Sequence, residues 1–165
     1  MYYAQMRKYD IANGLGIRAT LFVSGCTHQC PGCFNTEYRD FKYGTLWDEA
    51  AEEMFMGYVK DQNVHGVSIL GGEPMQQDFH LAALLKRIKE ETGKNIWIYS
   101  GDTFEEIIQN ESKKEILQYC DVLVDGPFIE VLKDLKLQFK GSSNQRILDV
   151  QKSLREQKPI LMNLA

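Results

Sequence analysis

The sequence predicts an α/β fold, an incomplete TIM-like barrel of parallel strands with alternating helices, and three observations carry that expectation. Strand-type segments rich in β-branched and aromatic residues alternate with amphipathic helical ones, the pattern of βα units joined by right-handed crossovers. The chain has 165 residues, whereas a closed eight-unit barrel takes about 250, so the barrel is left incomplete or the sheet open. No internal repeat or low-complexity linker divides the chain, and residues 1–165 read as one domain. A chain near this size buries roughly 70% of its unfolded surface and needs no disulfide to fold.

The first strand is "IRATLFVSG" (17–25), β-branched and aromatic, ending in glycine directly before a cluster of cysteines. Leu46 to Gln62 follow as a helix, with Leu46, Ala50, Met54 and Val59 near one face and acids on the other. Val64 to Pro74 form the next strand, closed by Gly71 and Gly72. A second amphipathic helix over 76–93 starts on Asp78 as N-cap and stops at Gly93. "NIWIYSG" (95–101) is a strand, Thr103 caps the helix opening over 103–109, and Asp121 to Phe128 form a short apolar strand. A last helix is expected near Gln145, capped by Ser143 or Asn144. Ligands of barrels and open parallel sheets sit at the carboxyl ends of the strands. The loops after Val23, Leu70 and Val124 all fall there.

The formal net charge is −4, from 19 basic and 23 acidic residues without a large block of either sign. That argues against a nucleic-acid or membrane-surface role and leaves a protein partner open. The first residues lack the apolar stretch of a secretory signal, and no run of about 18 apolar residues appears. The expected location is therefore cytoplasmic, where thiols stay reduced and clustered cysteines serve as metal ligands or catalytic groups.

Three of the four cysteines, Cys26, Cys30 and Cys33, form C-x3-C-x2-C within "VSGCTHQCPGCFN". Structural zinc wants four ligands, commonly as two pairs. Here no second pair follows, and His28 or Cys120 would have to supply the fourth; a non-enzymatic zinc-binding adaptor is the alternative of a different class. An iron–sulfur cubane normally takes four thiolates. With three, one iron keeps an open position for a substrate or cofactor, so the count suggests a reactive [4Fe–4S] cluster. Cys120, beside an apolar strand, reads as a core residue.

"LGGEP" (70–74) adds a second signal. Two glycines at a strand end let a ligand approach the backbone closely, their carbonyls can accept from an ammonium group, and Glu73 brings negative charge. Without a ligand the same residues make an ordinary strand-to-helix turn with Pro74 near the helix start.

C-x3-C-x2-C after a first strand, followed one βα unit later by Gly-Gly-Glu-Pro, resembles the radical S-adenosylmethionine family. The resemblance implies that Cys26, Cys30 and Cys33 hold the cluster and that its open iron chelates the methionine half of S-adenosylmethionine. Electron transfer then yields a 5′-deoxyadenosyl radical, so no side chain is itself catalytic. Gly71, Gly72 and Glu73 are implied to hold the methionine amino group. The family often has an aromatic residue just before the third cysteine; Gly32 stands there, with Phe34 just after, so backbone contacts from Gly32, Cys33 and Phe34 are implied instead.

"DIANGLGIRATLFVSGC", "CPGCFN", "DVLVDGPFI" and "LQFKGSSNQRILDV" together resemble the activating proteins of anaerobic, class III ribonucleoside-triphosphate reductases. That implies a glycyl-radical activating enzyme, an oxidoreductase that takes hydrogen from a glycine of the reductase large subunit. A flavodoxin-like protein would supply the electron. A radical enzyme acting on another protein or small molecule is the nearer alternative. Asp125 is either a hydrogen-bonding contact to the cofactor or an Asx turn before Gly126 and Pro127, and Arg146 is expected on the rim where the partner docks. The tail "PILMNLA" either covers the sheet or meets the partner.

Overall fold

The computed structural model describes residues 1–164. Seven strands form one sheet in the order β3-β1-β2-β4-β5-β6-β7. They are β1 (Tyr2–Asp10), β2 (Arg18–Val23), β3 (Thr45–Leu46), β4 (Gly66–Gly71), β5 (Asn95–Tyr99), β6 (Val122–Asp125) and β7 (Arg146–Asp149). The four central strands, β2, β4, β5 and β6, run parallel, as the alternating βα pattern requires. The flanks differ from the expected all-parallel arrangement, because β1 and β3 on one side and β7 on the other are antiparallel to their neighbours. The sheet ends at β3 and β7 and is not closed.

The helices are α1 (Glu49–Val59), α2 (Phe79–Thr92), α3 (Phe104–Ile107), α4 (Glu111–Leu117) and α5 (Val150–Glu156). α2 follows its sequence signals. The Asp78 carboxylate accepts from the His80 N–H, Gly93 ends the helix in the left-handed region at φ 65°, and Leu81, Leu84, Leu85 and Ile88 are buried. α1 is phased differently from expectation. The Asp48 carboxylate caps it through Ala51 N, which turns Ala51, Phe55, Met56 and Val59 into the core and leaves Met54 and Leu46 exposed. These side chains pack on Leu21, Val23, Ile69 and Ile98 to make the main core. Burial of one such leucine or isoleucine stabilises the fold by about 1.5–3 kcal/mol.

Three further differences have local causes. β1 has no clean alternation, since most of its residues are half-buried, and it is held as a strand by pairing on both edges. The helix opened by Thr103, with a full capping box to Glu106, stops at Ile107, and Asn110 caps a new helix at Glu111. The expected helix near Gln145 is instead β7, with Ile147 and Leu148 buried against β6; the helix starts at Val150, capped by Asp149. Ser143 and Asn144 therefore cap no helix.

The second face of the sheet carries a smaller cluster of Trp97, Val122, Val124 and Ile147, against which Phe139 and Met162 pack. At its lower end Arg18, 2% exposed, donates to Ser68 Oγ, Leu15 O, Val67 O and Asn95, and burial lowers its pKa to about 10. The tail follows β7, with Leu161 bridged to Leu148 and Met162 N donating to Ile147 O; Ala165 lies outside the described residues. Among the described residues no helix is long and apolar enough to cross a membrane.

Candidate active site

The loop after β2 and the loop after β4 are stitched together at the carboxyl edge of the sheet. Gly72 N donates to Val23 O (2.9 Å), Glu73 N to Gly25 O (2.7 Å), and Thr27 N to the Gln76 side chain (2.9 Å). Gly71 and Gly72 make this approach possible. A Cβ on Gly71, whose φ is 124°, would lie 2.1 Å from Val23 O, and one on Gly72 would lie 2.6 Å from Gly25 O and Tyr38 O. The room these glycines leave is taken by the backbone of the cysteine loop, so what they admit closely is that loop.

The loop itself is irregular. Cys33 N donates to Cys30 O, the Arg39 guanidinium donates to the same carbonyl at 3.1 Å, and Cys26 N donates to Arg39 O. The three thiols are half-buried, and burial raises that of Cys26 to about 11, so without bound iron it is protonated. Cys26, Cys30, Cys33, Phe34, Gly71, Gly72 and Glu73 all line one cleft that encloses about 720 Å³, part of it open to solvent. That is ample for a small-molecule ligand. Gly32 and Asp125 do not line it.

Glu73 is 1% exposed and fully engaged. It accepts from Met75 N (3.0 Å), Ser100 Oγ (2.7 Å) and Gly101 N (2.7 Å), which ties the β4 loop to the β5 loop. His28, between the first two cysteines, brings its Nε2 to 3.2 Å from both Glu73 Oε1 and Asp102 Oδ1. It is at ion-pair distance of both without the alignment of a hydrogen bond to either. Pairing with Glu73 above all raises the imidazole pKa. Asp102 is also held by Lys113 at 2.7 Å. The importance of His28 was not visible in the sequence, where no acid stands near it; its place between two cysteines was the only signal.

Asp125 is equally buried, but its oxygens accept from Phe104 N (2.7 Å) and from the Arg146 guanidinium (3.0 and 2.6 Å). An Asx turn would need the N–H of residue 127, which is a proline. Arg146, expected on a docking rim, is committed to Asp125 and Glu105. Gln145, expected only near the start of a helix, has an amide that spans Gly126 O, Gly141 N and Ser142 N and so shapes the wall beside Phe128.

The donor set fits an iron–sulfur cluster. A mononuclear zinc centre needs ligands set around one point, and among the described residues no group of three His, Cys, Asp or Glu side chains is placed to hold a metal ion. Thiolates of a cluster bind different irons and stand apart around it, as three cysteines spread along one cleft can. Cys120 is 0% exposed with its thiol on Ile116 O, and it does not line the cleft.

Comparison with known proteins agrees with this arrangement. A family model described as a 4Fe-4S single cluster domain matches residues 12–148. The chain is 39% identical over 150 residues to the anaerobic ribonucleoside-triphosphate reductase-activating protein of Escherichia coli K12, covering 88% of this chain and 96% of that one. The protein of the same name from Pasteurella multocida is 40% identical over 153 residues, 89% and 96% of the two chains. That of enterobacteria phage T4 is 33% identical over 150 residues, 89% and 93%.

Proposed function

We propose, given that the chain belongs to the 4Fe-4S single cluster domain family and, by about 39% identity along most of its length, to the anaerobic ribonucleoside-triphosphate reductase-activating proteins, that it is a radical S-adenosylmethionine enzyme that installs a glycyl radical on such a reductase. The observation that supports this most is the gathering of Cys26, Cys30 and Cys33 with Gly71, Gly72 and Glu73 on one cleft. The three thiolates would hold a [4Fe–4S] cluster, and S-adenosylmethionine would lie beside it against Cys33, Phe34 and the glycine pair. With a flavodoxin-like donor supplying one electron, the bound groups would cleave the sulfonium and take one hydrogen atom from a glycine, giving methionine, 5′-deoxyadenosine and the glycyl radical.

The chain's own residues hold and shield. Leu70, Val124 and Phe128 present apolar wall to the cleft, which keeps water from reactive species. Glu73 grips the 100–101 loop with both oxygens and Gly71 O accepts from Asn35 at 3.4 Å, so an ammonium group would share the Gly71 carbonyl with Asn35 beside the charge of Glu73. Asp125 serves the strand end rather than the cofactor. The same reading takes residues 1–165 as a single cytoplasmic domain whose four parallel strands are part of an incomplete barrel.

The test is anaerobic purification with iron and sulfide analysis, then electron paramagnetic resonance of the reductase after incubation with reductant and S-adenosylmethionine. A glycyl doublet and stoichiometric 5′-deoxyadenosine are expected. Cofactor cleavage without a doublet would redirect the enzyme to another substrate, and stoichiometric zinc without sulfide would make it an adaptor.

A further inference from the structure

The chain between β6 and β7 makes an excursion whose two ends are fastened together. Ile129 N donates to Ser142 Oγ, Ser143 N to Leu132 O, and the Asn144 amide to Pro127 O, while Lys133 bridges to Ser142. Surface loops closed on themselves in this way are compact and frequently functional. This one leans on the cysteine loop. The Phe128 ring lies 4.9 Å from that of Phe34, Lys133 Nζ stands 5.0 Å from the centre of the Phe34 ring, and a Cβ on Gly32 would come within 2.7 Å of the Glu130 side chain. Residues 130–133 therefore stand beside the cysteine cleft, which Phe34 and Phe128 line.

What the excursion presents to solvent is apolar. Val131 is 90% exposed and Leu135 84%, with Leu132 exposed between them. Phe34, itself exposed, lines one depression with Leu135 on the open face of the sheet. Single exposed apolar side chains are ordinary, but several gathered on one fastened loop mark an interaction site. Charge offers little there, because Glu130 and Asp134 offset Lys133 and Lys136. The reaction proposed above says what covers this surface. A hydrogen atom passes only between groups in contact. The glycine must therefore enter the cysteine cleft itself, and the protein that carries it must sit on the rim of that cleft.

We propose that Val131 and Leu135 anchor a docking surface for the glycine-bearing subunit of the reductase, seated against apolar side chains of that subunit while its glycine enters the cysteine cleft. The inference rests on the reductase reading given above. A loop already fastened at both ends loses little freedom when a partner covers it, which favours binding.

The experiment uses reconstituted holoenzymes of Val131→Asp, Leu135→Asp and the double variant, measuring the Kd for the reductase, iron content, S-adenosylmethionine affinity and thermal midpoint. Met54→Glu is the control, since Met54 is exposed on α1, which packs on the other face of the sheet. Each single change is expected to raise the Kd about tenfold, and the double change at least about thirtyfold, as for a carboxylate set where an apolar anchor is buried. Iron content, cofactor affinity and midpoint should match wild type, because neither side chain lines the cysteine cleft or packs in the core. A rise below about threefold in the double variant overturns the proposal, on the scale of a hot-spot contact, and so does an equal loss in Met54→Glu. A midpoint lowered by several degrees does so too, since the side chains would then be packing within the fold. Self-association of wild type that the double variant abolishes, with reductase binding unchanged, would give the surface to a second copy of this chain. If wild type raises no glycyl doublet on the reductase, the functional reading fails and this inference with it. If wild type does and the double variant binds as tightly, only the inference falls.

Discussion

Two carboxylates sit equally deep at the carboxyl edge of the sheet, Glu73 after β4 and Asp125 at the end of β6, each 1% exposed. Their surroundings differ. Asp125 receives the first N–H of α3 and a guanidinium from β7, and its corner is closed. Glu73 joins segments that themselves line the cleft, and beside it stand groups left incompletely met. The Cys26 thiol has only a long contact to His28 O at 4.0 Å, and the His28 imidazole stands between two carboxylates. Depth and charge alone do not tell an anchor from a site. The state of the neighbours does, because a fold that commits a carboxylate's partners fully at one corner and leaves the groups beside the next incompletely met has kept the second for a ligand.

Removing single side chains should break the two corners in different ways. The largest effect is expected from Cys26→Ala, Cys30→Ala or Cys33→Ala. Each should lose bound iron and sulfide and drop 5′-deoxyadenosine production below detection, while the cluster-free protein melts like its parent, since half-buried thiols with few contacts add little to folding. Full cleavage by any one of them would contradict its role as a ligand.

Asp125→Ala should do the reverse. It orphans Phe104 N–H and the Arg146 guanidinium, which costs about 2–4 kcal/mol after allowing for the partial exposure of Arg146. Urea unfolding measures this, and at a temperature where the variant stays folded its cofactor cleavage should remain within tenfold of wild type. Unchanged stability with cleavage lost would move Asp125 into the site.

The two corners were unequally legible in the sequence. Cys26, Cys30, Cys33 and "GGEP" announce themselves because their chemistry is local: thiols within eight residues, and glycines at a strand end. The central strands and α2 were legible for a similar reason, since Asp78, Gly93 and the apolar spacing of Leu81, Leu85 and Ile88 all act within the segment. What depended on distant pairing was not. β7 looked like the run-up to a helix because Arg146–Asp149 is too short to show alternation and becomes a strand only beside β6. The Asp125–Arg146 pair spans 21 residues, and His28 meets its acids 45 and 74 residues on. Contacts that tertiary structure creates leave little trace in local pattern.

Cys120 gives a smaller effect and a control for the cysteine comparison. Its thiol is buried against Ile116 O, and burial pushes its pKa up, so it is a neutral packing group. Cys120→Ala should cost about 1 kcal/mol in urea unfolding and leave iron content and 5′-deoxyadenosine production as in wild type. Loss of the cluster in this variant would bring a fourth thiol into the ligand set.

The smallest effects separate the corners by pH. In the cleft, pairing with Glu73, joined by the charge of Asp102, raises the His28 pKa from 6.5 against burial and Lys113. A raised histidine contributes stability that is fully present below its unfolded pKa and lost as pH rises through its folded one. In the closed corner, the hydrogen bond from Arg146 lowers the Glu105 pKa from 4.5. Its contribution is present above the unfolded value and lost as pH falls through the folded one, and because Glu105 is exposed it stays below about 1 kcal/mol. Melting cluster-free protein across pH should therefore show His28→Gln losing part of the wild-type decline above pH 6.5 and Glu105→Gln losing part of the decline below pH 4.5. Neither variant should alter the other's limb. If His28→Gln tracks wild type throughout the alkaline range, the imidazole is not held by the carboxylates and the cysteine loop is anchored by its backbone bonds and by the Gln76 and Arg39 side chains.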